Sequence, residues 1–211
     1  MNLSDMRDRL RKDLHDEDAT NERWTNAVLD RHIESTVREF SLAVPQDGKA
    51  TLTTTAGSRD LSIIGLTELV AIAAVEYPVD RYPPSYVRFS AWVSTLTMLI
   101  DSAPAAAESV VVYFTKLHTI DASSSTVPPQ FGGVIANGAA ACAALEWASF
   151  ATNRVNVGGK EVWREYLTRG QERLADFQRA LARHSRRNVL RARRLYAPAS
   201  PSVDQSTVTG P

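Results

Sequence analysis

The spacing of apolar residues changes period twice along this chain, and that double change limits the folds open to it. From Leu3 to about His15, apolar side chains recur at Leu3, Met6, Leu10 and Leu14, the spacing of one helix face. A polar, turn-like stretch runs from Asp16 to Arg23, where the Asp16-Glu17-Asp18 run reads as a solvated loop. A second helix is expected from Trp24–Thr25, with Thr25 as N-cap and Leu29, Ile33, Val37 and Phe40 on one stripe, ending before Pro45. Two short amphipathic helices joined by a polar turn make an αα-hairpin.

After Pro45-Gln46-Asp47-Gly48 the pattern becomes β-like. Thr51 to Thr55 and Leu61 to Ile64 flank Ala56-Gly57-Ser58, a hairpin signal. Further strands are expected at Leu69–Tyr77, Tyr86–Val93, Thr95–Ile100 and Ser109–His118, interrupted by the prolines at 78, 83 and 84 and by Asp101-Ser102-Ala103-Pro104. Strands spaced by about ten residues suggest a small antiparallel sandwich or sheet.

The helical period returns after Ser123-Ser124-Ser125-Thr126, with Thr126 as the expected cap and Pro128 or Pro129 in the first turn. From Gln130 to Ala151 the chain carries Gly132, Gly133, Gly138 and eight alanines. Each interior glycine costs about 1 kcal/mol relative to alanine, so close approach of another backbone is the expected compensation. This stretch reads as the central, best-buried helix, closed by Asn156-Val157-Gly158-Gly159. A last helix from about Lys160 to at least Ser185 places Trp163, Leu167, Gly170, Leu174, Phe177 and Leu181 at steps of 4, 3, 4, 3 and 4, a heptad-like core seam.

The expected fold is therefore α+β: a bundle of about four helices drawn from both chain ends, with an inserted small antiparallel β domain. The expected divisions are a helical hairpin over 1–45, a β-rich insertion over 46–122, helices completing the bundle over 123–190, and a tail over 191–211. That tail is first arginine-rich, then rich in Pro, Ser and Thr, a composition that favours disorder.

Composition narrows the function classes. Lys+Arg and Asp+Glu stand at 24 each, so no global basic field draws the chain to nucleic acid. Cys142 is the single cysteine, which rules out an intrachain disulfide and a cysteine-built zinc site and fits a reducing compartment. The first fourteen residues are too charged for a signal-peptide core, and Val134–Ala151, with Asn137 and Glu146, is a poor membrane span. No membrane partner is expected, and synthesis in the cytoplasm is.

Catalytic and cofactor signatures are missing from the residues. His15, His32, His118 and His184 are scattered, without the spacing that binds a metal. Gly158-Gly159-Lys160 ends like a phosphate loop, but Arg154 replaces the first glycine and Glu161 stands where Ser or Thr would hold a metal ion. Neither GxSxG nor GxGxxG occurs. The expectation is a non-enzyme with no cofactor and no metal.

One charge signal stands out. Between Phe177 and Tyr196 lie Arg179, Arg183, Arg186, Arg187, Arg191, Arg193 and Arg194, seven cations without an acid. A helix C-terminus favours such charges by roughly 0.3–1 kcal/mol each, which accounts for two or three. The rest read either as a solvated basic face or as a contact surface for an acidic protein patch or nucleic acid. With Tyr196 as the only interleaved aromatic, phosphate contact without base reading is the form DNA binding would take.

With the elements placed, three stretches carry a family likeness. The first is Leu10-Arg11-Lys12-Asp13-Leu14 followed by Arg23-Trp24-Thr25-Asn26-Ala27-Val28-Leu29, Ile33, Val37 and Phe40. The second is Val75-Glu76-Tyr77-Pro78 with Tyr82-Pro83-Pro84-Ser85-Tyr86 and Val111 to Asp121. The third is the Ala-rich helix with the final helix through Leu174-Ala175-Asp176-Phe177. In this order the chain resembles the head–tail connector (adaptor) proteins of tailed bacteriophages and related gene-transfer particles. The β insertion is larger than in minimal members of that family.

The resemblance implies a structural virion protein of the neck. It would form a ring of about twelve subunits through heterologous lateral contacts, joining the portal of the DNA-filled head to a neck or tail protein below. The ring would line the channel for genomic DNA without reading its sequence. It also implies that the C-terminal segment meets the portal, with Arg183, Arg186, Arg187, Arg191, Arg193, Arg194 and Tyr196 as candidate partner-binding residues facing portal or channel. The alternative is a nucleic-acid-binding accessory protein using the same arginines.

Overall fold

A computed structural model describes residues 1–151 and 161–195, with side chains through Ser185. The expected end of the central helix at Asn156–Gly159, the Pro/Ser/Thr-rich tail and the side chains of Arg186, Arg187, Arg191, Arg193, Arg194 and Tyr196 lie outside the described residues. The fold is α+β. Clustering of contacts divides the chain into a helical unit, Met1–Gln46 with Leu117–Arg186, and a second unit built on Asp47–Lys116.

The helical unit begins with α1 (Leu3–Leu14), started by a reciprocal cap in which Asn2 and Asp5 each accept from the other's backbone N–H. It stops at His15, which adopts the left-handed conformation at φ 54°. The next helix, α2 (Asn26–Ala43), starts from Thr25, whose hydroxyl accepts from Val28 N. Met6 and Leu10 of α1 and Leu29, Ile33, Val37 and Phe40 of α2 are buried in one core with Trp24, each such side chain contributing roughly 1.5–3 kcal/mol through burial.

The return to helix differs from the sequence expectation at its first turn. Pro128 occupies the cap position of a 3₁₀ turn, Pro129–Phe131, which runs into α3 (Gly132–Ala151). The Thr126 hydroxyl is engaged elsewhere, accepting from Thr119 N at 2.8 Å and lying 3.2 Å from His118 Nδ1. It therefore has no helix to cap.

Pro129–Ala151 is long and apolar enough to cross a membrane by length and composition, but 56% of its most apolar window is buried within the structure. Its small residues explain the burial. A Cβ on Gly138 would stand 2.7 Å from Thr36 Cγ2 and 2.9 Å from Phe177 Cδ2, so α3 sits tight against both neighbours at that point. Final helix α4 (Val162–Leu195) has 34 residues, about 51 Å at 1.5 Å per residue. It lies on α3 through Gly170, where a Cβ would meet Leu145 Cγ at 2.8 Å, and through Phe177, which is buried.

The second unit is a six-stranded antiparallel sheet in the order β1-β6-β3-β4-β5-β2. Its strands are β1 (Gln46–Thr53), β2 (Asp60–Ser62), β3 (Leu69–Glu76), β4 (Tyr86–Trp92), β5 (Thr95–Leu99) and β6 (Ser109–Lys116). β3 and β4 pair only at Val75–Val87 and Glu76–Tyr86, so the sheet curls there. The curl buries Leu61, Ile63, Val75, Leu96, Met98, Val110 and Val112 together.

The expected hairpin of Thr51–Thr55 with Leu61–Ile64 does not form. β1 and β2 are the two opposite edges of the sheet, paired with β6 and β5. The turn signal between them is real, with Gly57 at φ 73° and Ser58 N bonded to Thr55 O. A turn does not fix pairing, however, when each strand has a longer-range neighbour to bury against.

Candidate assembly surfaces of the helical unit

Three polar constructions hold the helical unit together. The first is centred on Arg11. Its guanidinium bonds Asp16 Oδ2 at 2.8 Å, Trp24 O at 3.0 Å and Asn26 Oδ1 at 2.8 Å, and pairs with Glu22 at 2.9 Å. Asp16 in turn accepts from Arg23 N at 2.7 Å and Trp24 N at 3.3 Å. Asp16 is thus buried at 6% exposure, which corrects the reading of the acidic run as a solvated loop at that residue, while Glu17 and Asp18 are exposed as expected. A carboxylate surrounded by donors is where the α1–α2 turn places its unpaired backbone N–H groups.

The second is an aromatic cage. The Arg23 guanidinium lies 5.6, 4.9 and 5.2 Å from the ring centroids of Trp24, Trp147 and Tyr166, and donates to the Tyr166 hydroxyl. This ties the α1–α2 turn to α3 and α4 through cation–π contacts. The third is a pair on α2 and α3: Glu146 lies 2.5 Å from both Arg31 and His32 Nε2. Burial lowers the His32 pKa against the pull of Glu146. For Glu146 burial works upward, but Arg31 and His32 prevail and lower its pKa.

His118 is buried, with Nδ1 2.9 Å from Thr126 O and Nε2 3.0 Å from Val44 O. Desolvation lowers its pKa, partly offset by those two carbonyls. The thiol of Cys142 is raised, chiefly by burial. Among the described residues no group of three or more His, Cys, Asp and Glu side chains could hold a metal ion.

The core-seam candidates spread over one side of α4. Gly170 is buried and Phe177 is 2% exposed. Leu181 packs partly exposed on the main core, and Trp163, Leu167 and Leu174 are half-exposed. Tyr166, Ala180 and His184, which the heptad pattern left out, also face the bundle, with Ala180 buried and His184 edge-on to Phe131 at 4.9 Å. Their chemistry hid them: tyrosine, alanine and histidine do not score as seam residues. Arg183 is exposed, and Arg179 pairs with Asp176. A groove of about 540 Å³ opens between α1, α3 and α4, with Gly133, Val134, Phe177 and Ala180 among its lining and Asp13, Arg173 and Asp176 beside them.

The architecture defines a class: an α+β protein whose four-helix unit is interrupted by a curled antiparallel sheet, with its polar residues spent on joining elements. The model of the SU10 adaptor protein family matches residues 1–202, and the chain belongs to that family. No curated protein sequence matches it. Among solved structures it is similar to a chain from the neck of an empty gene transfer agent particle computed with C6 symmetry. That match has 12% identity, covers 77% of this chain and 86% of the other, and has a TM-score of 0.31. A chain from the neck of the native particle computed with C12 symmetry matches at 13% identity, covering 77% and 85%, with a TM-score of 0.28. A chain from the virion of the native particle matches at 14% identity, covering 80% and 88%, with a TM-score of 0.29.

Proposed function

We propose that this chain is a non-enzymatic structural protein of the virion neck, forming a ring that joins the portal of the DNA-filled head to the tail and lines the DNA channel. The observation that carries the reading is membership of the SU10 adaptor protein family over residues 1–202. The helical unit suits the role. Its buried glycines and the Arg11 and Arg23 constructions make a rigid body, and a rigid body can present constant flanks to identical neighbours.

The ring has about twelve subunits in this reading, with the portal above, a neck or tail protein below and DNA passing through without sequence recognition. The protein is made in the host cytoplasm and resides at the head–tail junction. The arginines from Arg183 to Arg194, with Tyr196, face the portal or the channel. Co-sedimentation of the purified full chain with portal rings tests the proposal: it predicts association in fixed stoichiometry, and failure to associate overturns it.

A further inference from the structure

Between Glu165 and Ser185 the charges of α4 are sorted to one side. Stepping about 100° per residue around the helix, Glu165, Arg169, Glu172, Arg173, Asp176, Arg179 and Arg183 fall within one arc of about 120°. Between Glu165 and Ser185 the flank next to the buried stripe of Gly170 and Phe177 holds Leu167, Gln171, Leu174, Ala175, Gln178, Ala182 and Ser185, and no charge. Gln171, Ala175, Gln178 and Ala182 are exposed there, and Leu167 and Leu174 are half-exposed. Towards the start of the helix the same flank carries Trp163 and one charge, the exposed Arg164, which pairs with Glu161 at 2.7 Å. A solvated helix face carries charges freely, so depletion of charge along the exposed Gln171, Ala175, Gln178 and Ala182, beside the partly buried Leu167 and Leu174, is the compositional mark of a protein–protein contact.

The groove between α1, α3 and α4 opens on the other flank of the same helix. It touches α4 at Arg173, Asp176, Phe177 and Ala180, about 150° round from the centre of the uncharged strip. One helix therefore carries an uncharged ridge on one side and an apolar-floored groove on the other. Two unlike surfaces on opposite flanks are what a head-to-tail contact requires.

We infer that the uncharged ridge of α4, centred on Gln171, Leu174 and Gln178, seats in the groove lined by Gly133, Val134, Phe177 and Ala180 of the next copy of this chain. The inference rests on the ring reading and names the surfaces that close it. The glutamines offer both donors and acceptors to the Asp13, Arg173 and Asp176 rim without burying a charge of their own. Size supports a repeated contact over an isolated pair. The groove meets α4 from Arg173 to Ala180, about 10 Å, and a helix is about 10 Å across. Burial at one contact is then on the order of a few hundred Å², below what a stable isolated pair needs. Two copies hold weakly; a closed ring, in which every copy uses both surfaces, holds firmly.

The test uses full-length chain with Cys142→Ala as background. One preparation carries a cysteine on the ridge, at Gln171, Ala175 or Gln178 in turn, and the other carries Asp13→Cys on the groove rim. Under mild oxidation the mixture is expected to give at least about tenfold more disulfide-linked dimer, for at least one ridge position, than either preparation alone. Ridge variants that link only to themselves, or no mixed dimer at any position, overturn the assignment. Separately, Q171E/Q178E, both exposed and isosteric, is expected to weaken assembly on portal rings at least about tenfold by placing charge in the contact beside Asp13 and Asp176, and D13N/D176N, which leaves Arg173 to pair with the new carboxylates, to restore it. If Q171E/Q178E assembles like the wild type, the surface is wrong and the ring reading stands. If the wild type itself does not assemble, the ring reading falls and takes this inference with it.

Discussion

Replacing Gly138 by alanine sets two effects of known sign against each other. Gly138 lies inside α3, where helix propensity alone favours alanine by about 1 kcal/mol. The new Cβ would stand 2.7 Å from Thr36 Cγ2, 2.9 Å from Phe177 Cδ2 and 3.0 Å from Phe177 Cε2. Neither neighbour gives easily: Thr36 is β-branched and 2% exposed, and Phe177 is equally buried. Overpacking of this kind costs about 1–3 kcal/mol, more if α4 must back away. With both neighbours buried the upper part of that range applies, about 2–3 kcal/mol, so the expected net result is a loss of about 1–2 kcal/mol, with the midpoint falling by about 2–4 °C per kcal/mol for a chain of this size. Gly133 supplies the control, because a Cβ there meets only the mobile end of Arg9 at 3.2 Å. Gly133→Ala is expected to be neutral or slightly stabilising. Urea unfolding followed by helical circular dichroism measures both. A Gly138→Ala protein as stable as the wild type would refute the tight packing of α3 against α2 and α4.

Asp16→Ala is expected to cost about 3 kcal/mol, because it leaves the buried Arg11 guanidinium without its closest carboxylate; urea titration measures it, and a loss under about 1 kcal/mol contradicts the hub. Acidification should weaken the helical unit. His118 is held below the ordinary histidine value of 6.5 chiefly by burial, so the unfolded chain takes up the proton more readily. Stability present above pH 6.5 is lost as pH falls through it; unfolding midpoints across that range should drop less steeply in His118→Gln. Trp92→Ser, at a side chain 77% exposed at the end of β4, should change stability by no more than about 0.5 kcal/mol, which thermal melts would show.

Helices were readable because their signals are local. Thr25 caps α2 by the hydroxyl chemistry its position announced, and Gly138 is buried in close contact, though against the side chains of Thr36 and Phe177 and not the expected backbone. Strands β3 to β6 were equally readable, since alternation and prolines bound them, but β1 begins at Gln46, five residues before the expected Thr51, because the polar Gln46-Asp47-Gly48 run pairs in the sheet where it looked like a turn. Pairing was not: Ala56-Gly57-Ser58 forms a turn, yet its flanking strands lie at opposite edges of the sheet because their burial partners are β6 and β5. Thr126 was misread because its hydroxyl serves Thr119 and His118, residues brought back by the chain's return from the sheet. The Arg11–Asp16 hub and the Arg23 cage could not be foreseen. Charge beside aromatics in a turn looks the same in sequence whether solvated or buried, and only the approach of Trp147 and Tyr166 decides it.

Electron microscopy of native particles, with side-chain density sufficient to trace this chain, bears most directly on the proposed role. The account predicts a closed ring of copies between portal and tail, with the α4 ridge of each copy against the α1–α3–α4 groove of the next. A particle neck built without this chain, or copies placed singly and out of mutual contact, would contradict it.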